Sequence, residues 1–271
     1  MLRPPLPARF RQSLTSLAAT LGFYSRLPVS RMMGSFVGLR GFDLANDVAL
    51  VPVAGVIIGL CGALVLVLTR GFGLSSPLSA LMSVGALVLV SGGLHEDGLA
   101  DVADGFGGGH DKASKLAIMK DSRLGSFGGL ALGLALAARV MMLGTLAARS
   151  GSEAALVLIA AAGVSRFVGL LPMILLKPAR ADGLGAGISR PRPQGLRLAG
   201  VLSVAAALLP LFAGASFGAA LTGLVLALAG AYGMTRLAAH HIGGQTGDVA
   251  GAAQQVAEIG FMLAFVLGLG G

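Results

Sequence analysis

Tryptophan is missing from this 271-residue chain, cysteine occurs once, tyrosine twice, and charged residues make up only 12% of the whole. Each scarcity excludes something. A charged fraction so far below the ~25% of soluble domains rules out an ordinary soluble globule. The lone Cys61, set in an apolar run, rules out an intramolecular disulfide. Without tryptophan the aromatic belt of a membrane interface is weak. Acidic residues number 12 against 20 basic ones, and the surplus of +8 would fit nucleic acid. Its distribution assigns it to membrane topology instead, so no nucleic-acid partner is expected.

What the chain does have is 55% apolar residues, 43 glycines and a mean hydropathy of +0.85. That composition suits helices packed closely in a lipid bilayer, where small residues let backbones approach. Segments able to cross the ~30 Å hydrocarbon core are expected at residues 48–69, 77–94, 126–148 and 154–176. The uncharged run between Arg197 and Arg236 is too long for one span and divides, at a turn over 214–218, into 198–212 and 219–235. A last run, 259–269, begins as a helix near Asp248. The expected fold is all-α, a polytopic integral membrane bundle of about 6–7 transmembrane helices in a single domain over residues 1–271. Residues 1–40 lack the continuous apolar core of a cleavable signal. Within them Phe10, Leu14, Leu17, Ala18 and Leu21 recur at helical spacing beside Arg9 and Arg11, which predicts an interfacial amphipathic helix ending by Pro28.

With a cytoplasmic N-terminus, 16 of the 20 positive residues fall on one side, as the positive-inside rule requires. The polar stretches 92–125, 177–197 and 236–258 then meet at the cytoplasmic face. Half of the acidic residues lie in the first. Asp97, Asp101 and Asp104 follow one another at four and three residues, so a helix would carry them on one face. Three such carboxylates repel, and a divalent cation with hard oxygen ligands, Mg²⁺ above all, relieves the conflict. The plainer alternative is a solvated helix end paired with Lys112 or Lys115. His95 reads either as a substrate contact and proton acceptor or as a hydrogen-bonded helix-end histidine. His110 is a further donor, although Mg²⁺ prefers oxygen.

Gly107, Gly108 and Gly109 leave room for backbone N–H groups to meet an anion. Lys120 and Arg123, flanking Asp121, suit phosphate neutralisation or interfacial anchoring. In the last stretch Gly243, Gly244, Thr246 and Gly247 form a turn leading to Asp248, an N-cap candidate. Asp248 or Glu258 could instead complete the metal site or hold a sugar hydroxyl, with His240 and His241 nearby. Arg180, Asp182, Arg190 and Arg192 satisfy the topology rule or hold an anionic substrate. Arg139 and Arg166 sit within spans, where a charge costs at least ~2.5 kcal/mol. They predict a polar cavity descending from the cytoplasmic face, with snorkelling as the alternative.

The motif GLHEDGLADVADGFGG with IMKDSRLGSFG, the early FYSRLP (23–28), SRF (165–167), ADGLG (181–185) and GGQTGDVAGA (243–252) together resemble the cobalamin synthase, or adenosylcobinamide-GDP ribazoletransferase, family. The resemblance runs in order over almost the whole chain. It implies a Mg²⁺-dependent enzyme of the bacterial cytoplasmic (inner) membrane. Such an enzyme joins adenosylcobinamide-GDP to α-ribazole or its 5′-phosphate and releases GMP. Glu96 departs from the family's pattern, which has an apolar residue there. On this reading Asp97, Asp101 and Asp104 hold the metal, Asp104, Asp121 and His95 are candidates for proton removal, and Lys120, Arg123, Arg166, Arg180, Thr246 and Asp248 contact substrate and phosphate. Two other classes stay open at this point: a CDP-alcohol phosphotransferase, half of whose signature is echoed at residues 101–105, and a polytopic secondary transporter. An oligomer is possible.

Overall fold

A computed structural model of the protein describes residues 8–33, 40–182 and 190–268. Arg3, residues 183–185 of the ADGLG motif, Arg9's side chain and the end of the last apolar run lie outside what is described. The described chain is helical, with one isolated bridge between Pro178 and Gln245. Three helices, α1 (Ala8–Tyr24), α2 (Val29–Met33) and α3 (Leu44–Asp47), lead through a 3-10 turn into α4 (Val51–Gly71). Then come α5 (Ser76–Ser91), α6 (Leu94–Gly108), α7 (Lys112–Ile118), α8 (Ser126–Arg149), α9 (Gly151–Val168) and α10 (Leu171–Leu175). The last three are α11 (Pro193–Ala207), α12 (Phe217–Ile242) and α13 (Gly247–Leu267).

Six helical segments are long and apolar enough to cross a membrane: Leu44–Gly71, Ser126–Arg149, Gly151–Leu175, Pro193–Ala213, Phe217–Ile242 and Gly247–Leu267. They match six of the expected spans, and the last helix indeed starts beside Asp248. The expected span over 77–94 corresponds to α5, which reaches span length only together with α6 as a bent pair, a seventh span if the two are taken as one. The 16 residues of α5 reach only ~24 Å at 1.5 Å per residue, short of the ~30 Å core. The helix stops because Gly92 and Gly93 both adopt left-handed φ, 68° and 70°, through which a right-handed helix cannot run. The chain then turns by 90° into α6. The acidic stretch is therefore two helices, α6 and α7, and α6 is not one of the six spans.

The core is built on α9, whose alanines and branched residues are almost wholly buried. Its main neighbour α4 approaches so closely that a methyl group at Gly55 would lie 2.3 Å from the Ala162 carbonyl oxygen. Small residues make that approach possible, and dispersion contacts along it hold the pair. The expected amphipathic helix α1 is present, with Ala18, Leu21 and Tyr24 buried against the bundle while Phe10 stays half exposed.

A second close approach positions the acidic helix. A methyl group at Gly98 would lie 2.7 Å from the Asp248 carbonyl oxygen, so α6 and the start of α13 touch backbone to backbone. Gly98→Val should force these helices apart and lower stability by about 1–3 kcal/mol. A drop in the thermal unfolding midpoint of the purified protein, together with lost activity, is the expected result; an unchanged midpoint would show that the contact is not tight.

Candidate active site

The polar stretches at 92–125, 177–197 and 236–258 converge through direct contacts. Lys177 and Ala179 exchange backbone hydrogen bonds with Gln245, both 2.9 Å. Lys120 pairs with Asp182 across 62 positions of sequence. Arg180 donates from Nη2 to Asp248 Oδ2 at 3.4 Å, while its Nε lies 4.0 Å from Asp182. Thr246, and not Asp248, caps α13: its Oγ1 accepts from the Val249 N–H at 3.3 Å and donates to Asp248 Oδ2 at 3.1 Å. Asp248 sits in the first turn, where the helix dipole favours a carboxylate.

Along α6, Asp97 is exposed and Asp101 and Asp104 are partly buried. Asp104 is already engaged. Its two oxygens accept the backbone N–H groups of Gly125 at 2.7 Å and Gly128 at 2.8 Å, so it caps the start of α8. Asp101 feels partial burial first, then the charges of Asp97, Asp248 and Asp104, against which only Arg180 acts; together these push its carboxyl up to about 7. The group of carboxylates is under-compensated, as its spacing predicted.

Behind this outer face lies an inner polar layer that the spacing did not predict. Arg139, 2% exposed, donates from Nη1 to Glu96 at 2.7 Å and to Gln255 at 3.2 Å, and its Nη2 lies 2.8 Å from Glu258. Gln255 also donates to Glu96 and to Gln254, and Gln254 donates to Ser165 at 2.8 Å and Glu258 at 2.6 Å. Arg139 and Glu258 are thus consumed by one another, which corrects the expectation that they serve phosphate or metal. Arg166 differs. It donates from Nη1 to the Ala162 carbonyl at 2.9 Å, yet its buried Nε has no hydrogen-bond partner.

Arg166 lines a cavity of about 160 Å³ together with His95, Asp97, Asp248, Gln254 and the rings of Phe23, Tyr24 and Phe42. A cavity therefore exists at Arg166 and not at Arg139, but its walls are mostly apolar where a polar one was expected. His95 is buried and stacks on Tyr24, ring centres 5.7 Å apart. Burial, then the nearby Arg166 and Arg139, holds it well below its ordinary value, so its ring is neutral.

The model of the cobalamin-5-phosphate synthase family matches residues 16–266. The chain belongs to the cobalamin-5-phosphate synthase family. Two similar proteins, from Azorhizobium caulinodans (42% identical, covering 96% of this chain and 98% of the relative) and Xanthobacter autotrophicus (45%, covering 93% and 95%), bear the name adenosylcobinamide-GDP ribazoletransferase. So does one from Mesorhizobium japonicum, 42% identical over 97% of each chain. No solved structure matches the chain. Membership of this enzyme family sets aside the CDP-alcohol phosphotransferase and transporter readings.

Within this family member, several candidate residues turn out to have local partners. Asp121 and Arg123 bind one another on the surface, with Arg123 Nε 3.0 Å from both Asp121 oxygens. Those hydrogen bonds hold the Asp121 carboxyl down at about 2, which makes it a poor proton acceptor. Asp111 caps α7 through the Ser114 N–H at 2.8 Å, and His110 is exposed. The anion cradle expected at Gly107–109 is absent: Gly107 and Gly108 lie inside α6 and the Gly109 N–H bonds the Gly105 carbonyl at 3.1 Å. The glycines serve packing instead, since a methyl group at Gly109 would lie 2.7 Å from the Lys115 backbone nitrogen.

Among the described residues, no three His, Cys, Asp or Glu side chains are placed to hold a metal ion together, so Asp97, Asp101 and Asp104 do not form the expected three-carboxylate site. Mg²⁺ commonly takes only one or two carboxylates and fills its octahedron with water and phosphate oxygens. One or two of Asp97, Asp101 and Asp248, which supply only oxygen, match that donor set, with substrate phosphates completing it. Phe23, Tyr24, Phe42, Gln254 and Gln255 were not expected at the site at all.

Cutting the inner network at one point should be costly. Arg139→Leu leaves Glu96 and Glu258 without their ion-pair partner, and such broken buried pairs lose about 3–5 kcal/mol. The expected result is a large fall in the unfolding midpoint, recovered in part when Glu96 and Glu258 are replaced by Gln together with Arg139→Leu. A single variant as stable as the parent protein would contradict the assignment.

Proposed function

We propose that the protein joins adenosylcobinamide-GDP to α-ribazole or α-ribazole 5′-phosphate, releasing GMP, at the cytoplasmic face of the bacterial inner membrane. The reading is supported by the names of its relatives. The observation that carries it is the under-compensated carboxylate face of α6, brought against the first turn of α13 and opening on a cavity that contains His95 and Arg166.

A ribose hydroxyl of the acceptor attacks the phosphorus that bears cobinamide, the P–O bond to GMP breaks, and GMP departs. One or two of Asp97, Asp101 and Asp248 would hold Mg²⁺, while Asp104 fixes the start of α8 beside them. When bound, Mg²⁺ supplies charge neutralisation at the diphosphate, the dominant need in phosphoryl transfer. Arg180 places a guanidinium next to Asp248 and keeps Nη1 free of hydrogen-bond partners, so it binds a phosphate oxygen. Lys120 and Arg123 act less directly, since each is paired with an aspartate. Of the three groups considered for taking the hydroxyl proton, Asp104 is occupied by two backbone N–H groups and Asp121 is too weak a base. His95 lies in the cavity wall, but burial beside Arg166 and Arg139 lowers its basicity as well, so none of the three is a strong acceptor.

Asp101→Asn should reduce Mg²⁺-dependent GMP release by roughly 10²-fold, the scale of losing one electrostatic partner of a transition state. Thermal unfolding of the variant should match that of the parent protein. Chelation by EDTA should abolish release and added Mg²⁺ should restore it. Unchanged turnover in Asp101→Asn would remove that residue from the mechanism, and turnover that survives EDTA would remove the metal.

A further inference from the structure

Two cavities meet at Asp97, and their shapes differ. One is the enclosed space of about 160 Å³ already described; the other is an open groove of about 690 Å³ lined by Arg26, Gly92, Gly93, Ala100, Leu124 and Leu132. Phe23, Leu94 and Asp97 line both, so they form the partition between them.

We infer that the enclosed cavity is the subsite for the acceptor's base, a flat, neutral heteroaromatic ring system carrying an in-ring nitrogen acceptor. The inference rests on the proposed transfer for the acceptor's identity, and on the cavity itself for the chemistry. The walls are aromatic and arranged as planes. Phe23 and Phe42 stack with ring centres 4.8 Å apart and an interplanar angle of 21°, and Tyr24 lies at 10° to His95. Stacked and edge-on aromatic surfaces favour a planar guest over a flexible or charged one. Leu170 and Met173 add apolar surface.

Size points the same way. Cavities of about 150 Å³ admit a benzene-sized ring, so this space holds a small fused ring and excludes a corrinoid. The open groove across the Asp97 partition has the room for the bulkier partner. A polar cue then orients the guest. Arg166 is 4% exposed, lines the cavity and has an Nε–H without a partner, a group that is costly to leave unsatisfied. An unsubstituted ring nitrogen of the base accepts that hydrogen. The sugar then lies toward the rim, where Asp97 and Asp248 are the more exposed groups and where the hydroxyl must meet the phosphorus.

The test uses the full-length protein in lipid nanodiscs. Phe42→Ala removes a partly exposed wall, and Met173→Trp fills the cavity without deleting any contact, so a folding defect in one leaves the other informative. Each should raise KM for α-ribazole about tenfold or more while KM for adenosylcobinamide-GDP stays within about twofold. Equilibrium binding of α-ribazole alone should weaken in parallel. A rise confined to the adenosylcobinamide-GDP KM, or no change in either, overturns the subsite. Active parent protein with equal α-ribazole affinity in Met173→Trp removes the subsite and leaves the transferase reading intact. α-Ribazole binding that is lost in the variants, in a parent protein that releases no GMP, does the reverse.

Discussion

Arg139 is where three helices are tied together. It projects from α8 into an interior without water, and a guanidinium there must find carboxylates or lose several kcal/mol. Glu96 comes from α6 and Glu258 from α13, at 2.7 and 2.8 Å. Once that pairing is made, the orientation of α6 follows. Glu96 points inward, so the face bearing Asp97, Asp101 and Asp104, about 80–140° around the helix, cannot be buried as deeply. Gly98 then permits the backbone contact with Asp248, and the outer carboxylates of two helices share one rim.

The charges consequently divide into two layers with opposite properties. The inner layer balances in charge: Glu96 and Glu258 face Arg139 and Arg166, with Gln254, Gln255 and Ser165 adding hydrogen bonds between them. The outer layer does not balance, since among the described residues Arg180 is the cation set against Asp101 and Asp248. A balanced interior gives rigidity, and an unbalanced rim would, under the proposed function, hold a cation and the phosphates that accompany it. α1 and the Phe42 segment close the assembly on the remaining side by supplying aromatic walls.

The spans at 126–148 and 154–176, the start of the last helix and the convergence of the polar stretches were legible because uninterrupted apolar length and the distribution of arginine are one-dimensional signals. The shared face of Asp97, Asp101 and Asp104 was legible from helical spacing alone. The roles within it were less so. Asp104 caps α8, and nothing local to Asp104 announces a helix start 21 residues later. The pairings of Arg139 with Glu96 and Glu258 span 43 and 119 positions. One clue to them was available: two arginines stood inside otherwise apolar spans, and such charges need partners. Tyr24 and Phe42 carried no signal, since an aromatic residue in an apolar chain looks the same whether it lines a cavity or packs a core. The break at Gly92–Gly93 was visible as a glycine pair but its 90° consequence was not.

All of this converges on one event at the rim, the direct passage of a phosphoryl group from one substrate to the other. A single-turnover experiment with the purified protein in Mg²⁺, following GMP and the corrinoid product together, tests it most directly. Transfer predicts that GMP appears only when α-ribazole or its 5′-phosphate is present, at the same rate and in the same amount as the joined product. GMP released equally well without the acceptor, or product formed without GMP, would contradict it.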